Sequence, residues 1–117
     1  MEEFQGLNAL IDKTVGKEIN GWIWVNLDQL NQNAIEAEYY LIDDEYLWEL
    51  DEDEVYENEQ GDELPLSLKD KNLKSWLEIP MIEDVISYLK HNTPKPNIEL
   101  IEKALKYYFE NDAFLDT

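Results

Sequence analysis

The chain has 117 residues, the size of one domain and too short for two well-cored ones. Twenty-eight acids against nine lysines, with no arginine, leave a net charge of −19, which repels nucleic acid and anionic lipid and attracts cationic partners. No run approaches the roughly 18 apolar residues of a membrane span, Met1-Glu2-Glu3-Phe4 is acidic where a secretory signal is basic, and the lack of cysteine excludes disulfides and thiolate metal sites, so the cytoplasm is the expected compartment. With four Trp, seven Tyr and three Phe, the chain holds the material of a packed core and differs from a disordered acidic tail.

Residues 3–15 read as an amphipathic helix with Phe4, Leu7, Leu10 and Ile11 on one side and Gly16 as its C-terminal cap, although Gly6 lies inside it. Trp22-Ile23-Trp24-Val25, after Asn20-Gly21, reads as a strand, with Trp22 and Trp24 serving the core or its rim. Leu27 to Asn33 is polar and reads as a connection. From Ala34 to Ile42 the alternation of Ile35, Ala37, Tyr39 and Leu41 with Glu36, Glu38, Tyr40 and Ile42 predicts a strand buried on one face and, near its end, on both. A turn at Asp43-Asp44 would lead into another short strand over Tyr46 to Leu50.

Residues 43–63 hold twelve acids and no lysine, and residues 1–63 carry −17 of the total charge against −2 for residues 64–117. Such runs are usually solvated faces, yet this one interleaves Tyr46, Leu47, Trp48, Leu50, Val55 and Tyr56. Leu73 to Ile79 reads as a final strand or a short helical turn. Pro80 opens a helix with the stripe Ile82, Val85, Ile86 and Leu89, with Glu83 and Asp84 toward its positive end and Lys90 and His91 at its negative end. Asn92 to Pro96 breaks the chain. Asn97 then caps a second helix with Ile98, Ile101, Leu105 and Tyr108 on its buried side, ending near Asn111-Asp112. The order predicts a single α+β domain over residues 1–117: an N-terminal helix, a small and mostly antiparallel sheet, and two C-terminal helices packed on that sheet.

Catalytic signatures fail in turn. The glycines at 6, 16, 21 and 61 form no phosphate-cradling loop, and the single His91 sits at a helix end, where it complements the dipole. Ser67, Ser75 and Ser87 lack a nucleophile-elbow context. A catalytic carboxylate pair needs one desolvated member, whereas a dense acidic run stays hydrated. Asp51-Glu52-Asp53-Glu54 departs from a calcium loop, because the next ligand position is Val55 and the obligatory glycine is Tyr56. The expectation is a binding protein without catalysis, cofactor or dedicated metal site.

An aromatic anchor ringed by carboxylates is the composition expected of a contact for a Lys/Arg-rich surface. The candidate partner-binding residues are therefore Asp43, Asp44, Glu45, Trp48, Glu49, Asp51, Glu52, Asp53, Glu54, Tyr56, Glu57 and Glu59, with a core role for Trp48 and Tyr56 as the alternative.

The run from Leu41-Ile42-Asp43-Asp44-Glu45 to Asp62-Glu63-Leu64-Pro65, then Glu83-Asp84-Val85, the Asn92 to Pro96 break, Ala104-Leu105-Lys106-Tyr107-Tyr108 and Asn111-Asp112-Ala113-Phe114 together resemble a family of small acidic bacterial proteins. That family includes immunity proteins of contact-dependent growth inhibition systems, and the resemblance covers about residues 41–115. It implies a stoichiometric inhibitor that binds one-to-one the basic C-terminal nuclease domain of a large effector, a tRNase or DNase, with no direct contact to nucleic acid or membrane. The same electrostatics would also suit an acidic nucleic-acid mimic that inhibits a DNA-binding host enzyme.

Overall fold

The computed structural model describes residues 1–116. Its first element corrects the sequence reading. Residues 3–15 are not one helix but a strand, β1 (Glu2–Gln5), followed by a helix, α1 (Leu7–Thr14). Gly6 separates them at φ +94°, a backbone state that only glycine adopts without strain. Its N–H donates to the Ala37 carbonyl at 2.9 Å, so the break is stitched to the neighbouring chain. Phe4 points into the core from an edge strand rather than from a helix face.

The expected strand at Trp22–Val25 is present as β2. Leu27–Asn33 is a helix, α2, and not a connection. The Asn26 side chain caps it by accepting from the Gln29 N–H at 3.0 Å, and Leu30 is buried beneath it. The strand expected over residues 34–42 is shorter, β3 (Glu38–Leu41), and Tyr39, Tyr40, Leu41 and Ile42 are all buried, as the reading of both faces required. Tyr46–Leu50 is not a strand. Asp43 accepts from the Tyr46 N–H at 2.7 Å and starts a five-residue helix, α3 (Asp44–Trp48), so the expected turn residue works as a helix cap.

After a 3-10 turn at Glu52–Glu54, β4 (Val55–Glu57) pairs with β5 (Glu63–Pro65) as a separate hairpin, and a second 3-10 stretch spans Leu66–Lys71. Between the two readings left open for Leu73 to Ile79, the strand is realised as β6 (Lys74–Glu78). Helices α4 (Ile79–Asn92) and α5 (Ile98–Asn111) follow as expected, the second capped by Asn97, which accepts from the Leu100 N–H at 2.8 Å.

The main sheet has the order β1-β3-β2-β6, with every pair antiparallel. Its alternation sends Phe4, Ile23, Val25, Tyr39 and Leu41 to one face, where they pack with Leu7 and Leu10 of α1, Leu30 of α2, the Ile82/Val85/Ile86/Leu89 stripe of α4, and Ile101, Ala104 and Leu105 of α5. β6 bulges here. Ser75 and Glu78 oppose Trp24 and Trp22, so Trp76 and Leu77 together face the single residue Ile23, and both end up buried in this core.

The opposite face of the sheet carries Tyr40, Trp22 and Trp24. Tyr40, Ile42, Leu64, Leu68 and Leu73 form a second, smaller core there, with Trp24, Tyr46, Leu47 and Tyr56 packed at its margin. The acidic segment is therefore a folded layer over the second face, which explains its interleaved apolar residues. The domain is α+β, with helices on one face of an antiparallel sheet and the hairpin, α3 and two 3-10 segments on the other. Among the described residues, no helix is long and apolar enough to cross a membrane.

Candidate protein-binding face

The sequence-predicted residues converge on one layer. Asp43 caps α3, Asp44 and Glu45 form its first turn, Trp48 ends it, and Glu49 follows. Asp51 to Glu54 form the next turn as a reciprocal cap, in which the Asp51 N–H donates to Glu54 Oε1 at 3.1 Å. Tyr56 and Glu57 lie on β4. All the acids of the set are exposed. Asp43, Asp51 and Glu54 are placed by short-range caps, while Tyr46, Leu47 and Tyr56 anchor the layer to the sheet.

The two aromatic candidates separate. Trp48 is 78% exposed, one helical turn from Asp44 and Glu45, and serves no core. Tyr56 is half-buried at the margin of the second core, and that burial raises its phenol pKa. Tyr56 supports the face from beneath, whereas Trp48 projects from it.

Like charges lie close together on this layer. Glu57 sits directly opposite Glu63 across the β4–β5 ladder, an arrangement that destabilises a hairpin. Carboxylate oxygens of Asp51, Asp53 and Glu54 come within 4.8 Å of one another. These three are exposed and two of them already cap the turn, so they can hold a hydrated divalent cation only loosely. Counter-charges are few: among the described residues the ion pairs are Lys71–Glu38 at 3.6 Å, Lys74–Glu59 at 3.3 Å and Lys106–Glu102 at 3.1 Å. Among the described residues, Glu59 is the one member of the predicted set in an ion pair. The Glu59 carboxylate is 88% exposed, so solvent weakens the pair.

Two concavities flank α3. One is lined by Tyr46, Leu50, Asp53, Glu54, Pro65, Leu66 and Ser67. The other is lined by Asn20, Gly21, Trp22, Trp24, Ile42, Asp43, Asp44 and Leu47. The sequence reading placed Trp22 and Trp24 in the core or at its rim; Trp22 is 42% exposed and Trp24 half-buried, and both stand in the wall of this second concavity. The signal for this was present in their i, i+2 spacing, which puts both indoles on the face opposite Ile23 and Val25. His91 is exposed in the last turn of α4, and the serines at 67, 75 and 87 lie on three different elements.

A family model described as a domain of unknown function, DUF7716, matches residues 25–117. The chain belongs to this family. The DUF7716 match spans the whole acidic layer together with β3, β6, α4 and α5, and it begins at Val25 in β2. No curated protein and no solved structure matches the chain. The pairing of a helical core on one sheet face with an acidic layer on the other is thus built largely from DUF7716 sequence.

Proposed function

We propose that the chain is an immunity protein, a cytoplasmic, non-catalytic inhibitor that binds the basic C-terminal nuclease domain of a cognate toxin one-to-one through the layer formed by residues 43–59. The observation that carries this reading is Trp48, an indole left 78% exposed on a helix whose first turn and cap are carboxylates. A large aromatic set among carboxylates is the composition of a hot spot for a cationic surface, since it offers apolar contact, a π face for Lys or Arg, and charge together.

The unpaired carboxylates of the same layer support this reading. Glu57 opposite Glu63 and the Asp51/Asp53/Glu54 cluster offer closely spaced negative charge that lysines or arginines of a partner would neutralise. A nuclease that holds a polyanionic substrate presents such a basic cleft. Occupying it with a folded acidic layer excludes the substrate by charge and by volume, without any bond being made or broken.

The test is capture of partners by the tagged protein from its native lysate, washed at low and then moderate salt. One basic nuclease-like polypeptide retained at one-to-one stoichiometry, with an association rate that falls as salt rises, is the expected result. A spread of DNA-binding proteins that all wash off with salt would replace this reading with nucleic-acid mimicry or nonspecific polyanion behaviour.

A further inference from the structure

The concavity between β2 and α3 has a composition of its own. Its volume is about 270 Å³, below the roughly 300–1,000 Å³ of pockets that hold drug-sized ligands. It is the scale of one long side chain. Trp22 and Trp24 supply aromatic wall, Ile42 and Leu47 apolar lining, and Asp43 and Asp44 the charge. Glu78 stands directly opposite Trp22 across the β2–β6 ladder and so shares its face of the sheet.

None of these three carboxylates is paired with a lysine among the described residues. Asp43 Oδ1 accepts from the Tyr46 N–H at 2.7 Å, a contact that fixes its carboxylate at the start of α3. The shape is maintained by backbone as well. Gly21 lines the concavity at φ +139°, its carbonyl accepts from the Ile79 N–H at 2.9 Å, and a Cβ there would meet the Leu41 side chain at 2.7 Å.

We infer that this concavity is a recognition pocket for a single arginine or lysine side chain of a basic protein partner. The aliphatic stem packs against the indoles, the cationic head lies over an indole face, and Asp43 and Asp44 accept its hydrogen bonds. Among the lining side chains only Asn20, Asp43 and Asp44 carry oxygen, fewer than the roughly six to eight oxygen ligands of a calcium ion, and a net charge of −19 disfavours a second copy of this chain as the occupant. The pocket rests on the reading of the acidic layer as a docking face and adds to it an anchor point formed in part by the helix that carries Trp48.

The test needs no knowledge of the partner. Indole N–H resonances of Trp22, Trp24, Trp48 and Trp76 are followed in the full chain by ¹H–¹⁵N spectroscopy during titration with N-acetyl-arginine amide, N-acetyl-lysine amide and neutral N-acetyl-citrulline amide. Saturable shifts at Trp22 and Trp24 with the two cations, absent with citrulline, are expected. Asp44→Asn, which leaves the Asp43 cap intact, should weaken that binding by roughly tenfold, the scale of one lost charge-assisted contact. Trp22→Leu should abolish it with an unchanged dispersion of the remaining spectrum.

Equal, non-saturating shifts at Trp48 and across the acidic layer would overturn the pocket, as would equal binding of citrulline or an unaffected Asp44→Asn variant. Should the pocket fail while one basic polypeptide is still captured from lysate, the docking reading survives without it. A pocket that takes the arginine probe in a protein that captures no basic polypeptide keeps the pocket and removes the docking reading.

Discussion

The backbone N–H of Gly16 donates to Oε2 of Glu83 at 2.8 Å, across 67 residues of sequence. Glu83 lies in the second turn of α4, where the sequence assigns it to the helix dipole; its carboxylate instead holds the chain leaving α1. Glu83→Ala should lower stability by about 1 kcal/mol, the net scale of such a bond. Urea unfolding of the variant checks this, and an unchanged midpoint would mean that the contact contributes nothing.

The break between β1 and α1 makes Gly6 more sensitive than Gly16. Both have positive φ, but a Cβ at Gly6 would lie 2.9 Å from the Ile35 carbonyl oxygen, whereas one at Gly16 meets nothing within 4 Å. Gly16→Ala should cost about 1 kcal/mol from backbone conformation alone, and Gly6→Ala roughly 2 kcal/mol or more. Thermal melting of the two variants side by side gives the order, and equal losses would refute the role of the close approach.

Alkaline pH should unfold the protein through two tyrosines. Tyr39 is buried beneath the helices, with Glu102 adding its charge; Tyr40 is buried under the acidic layer and donates to Glu38 Oε2 at 2.9 Å. Burial, the larger cause, and these carboxylates raise both phenols well above their ordinary value. Because the folded state holds these protons more tightly, the stabilisation is complete below about pH 10 and is lost as pH rises toward the folded-state values. In a phenolate absorbance titration, the portion due to Tyr39 and Tyr40 should appear only together with loss of near-ultraviolet circular dichroism.

Trp48 should matter for binding and not for folding. At 78% exposure, Trp48→Ala should change stability by no more than about 0.5 kcal/mol. Binding to a basic partner should weaken by roughly tenfold or more, the behaviour of an aromatic hot spot. Calorimetry on the complex and urea unfolding of the free variant separate the two effects.

Glu57→Lys should move stability and binding in opposite directions. Replacing the repulsion with Glu63 by an attraction should stabilise the hairpin by about 0.2–1 kcal/mol, while association with the basic partner slows most strongly at low salt. A variant that loses both stability and association would show that Glu57 supports the hairpin itself.

The helical stripes of α4 and α5, the Asn97 cap and the strand at Trp22–Val25 were legible because each is written within one short window. Ile82, Val85, Ile86 and Leu89 repeat at the helical period, and Asn97 sits beside the turn whose N–H it accepts. α2 and α3 were not legible. Leu27–Asn33 buries only Leu30, and Asp44–Trp48 buries no residue fully, so neither displays a full apolar stripe. The misread N-terminus has a related cause. Phe4, Leu7, Leu10 and Ile11 fit a helical period, and nothing local reveals that Phe4 pairs with Tyr39 of a distant strand.

By itself the sequence determined composition-level properties and local ones: a chain with a strongly acidic first half, an α+β order of elements, and a candidate binding segment at residues 43–59. Only the tertiary structure decided that this segment folds back over the second face of the sheet, that Tyr56 belongs beneath it and Trp48 outside it, and that Trp22 and Trp24 line one concavity with Asp43 and Asp44. Charge and periodicity are sums over neighbours along the chain. Which residues share that concavity is set by strand register, by the bulge in β6 and by the packing of Tyr40, Leu64 and Leu73, contacts between residues tens of positions apart.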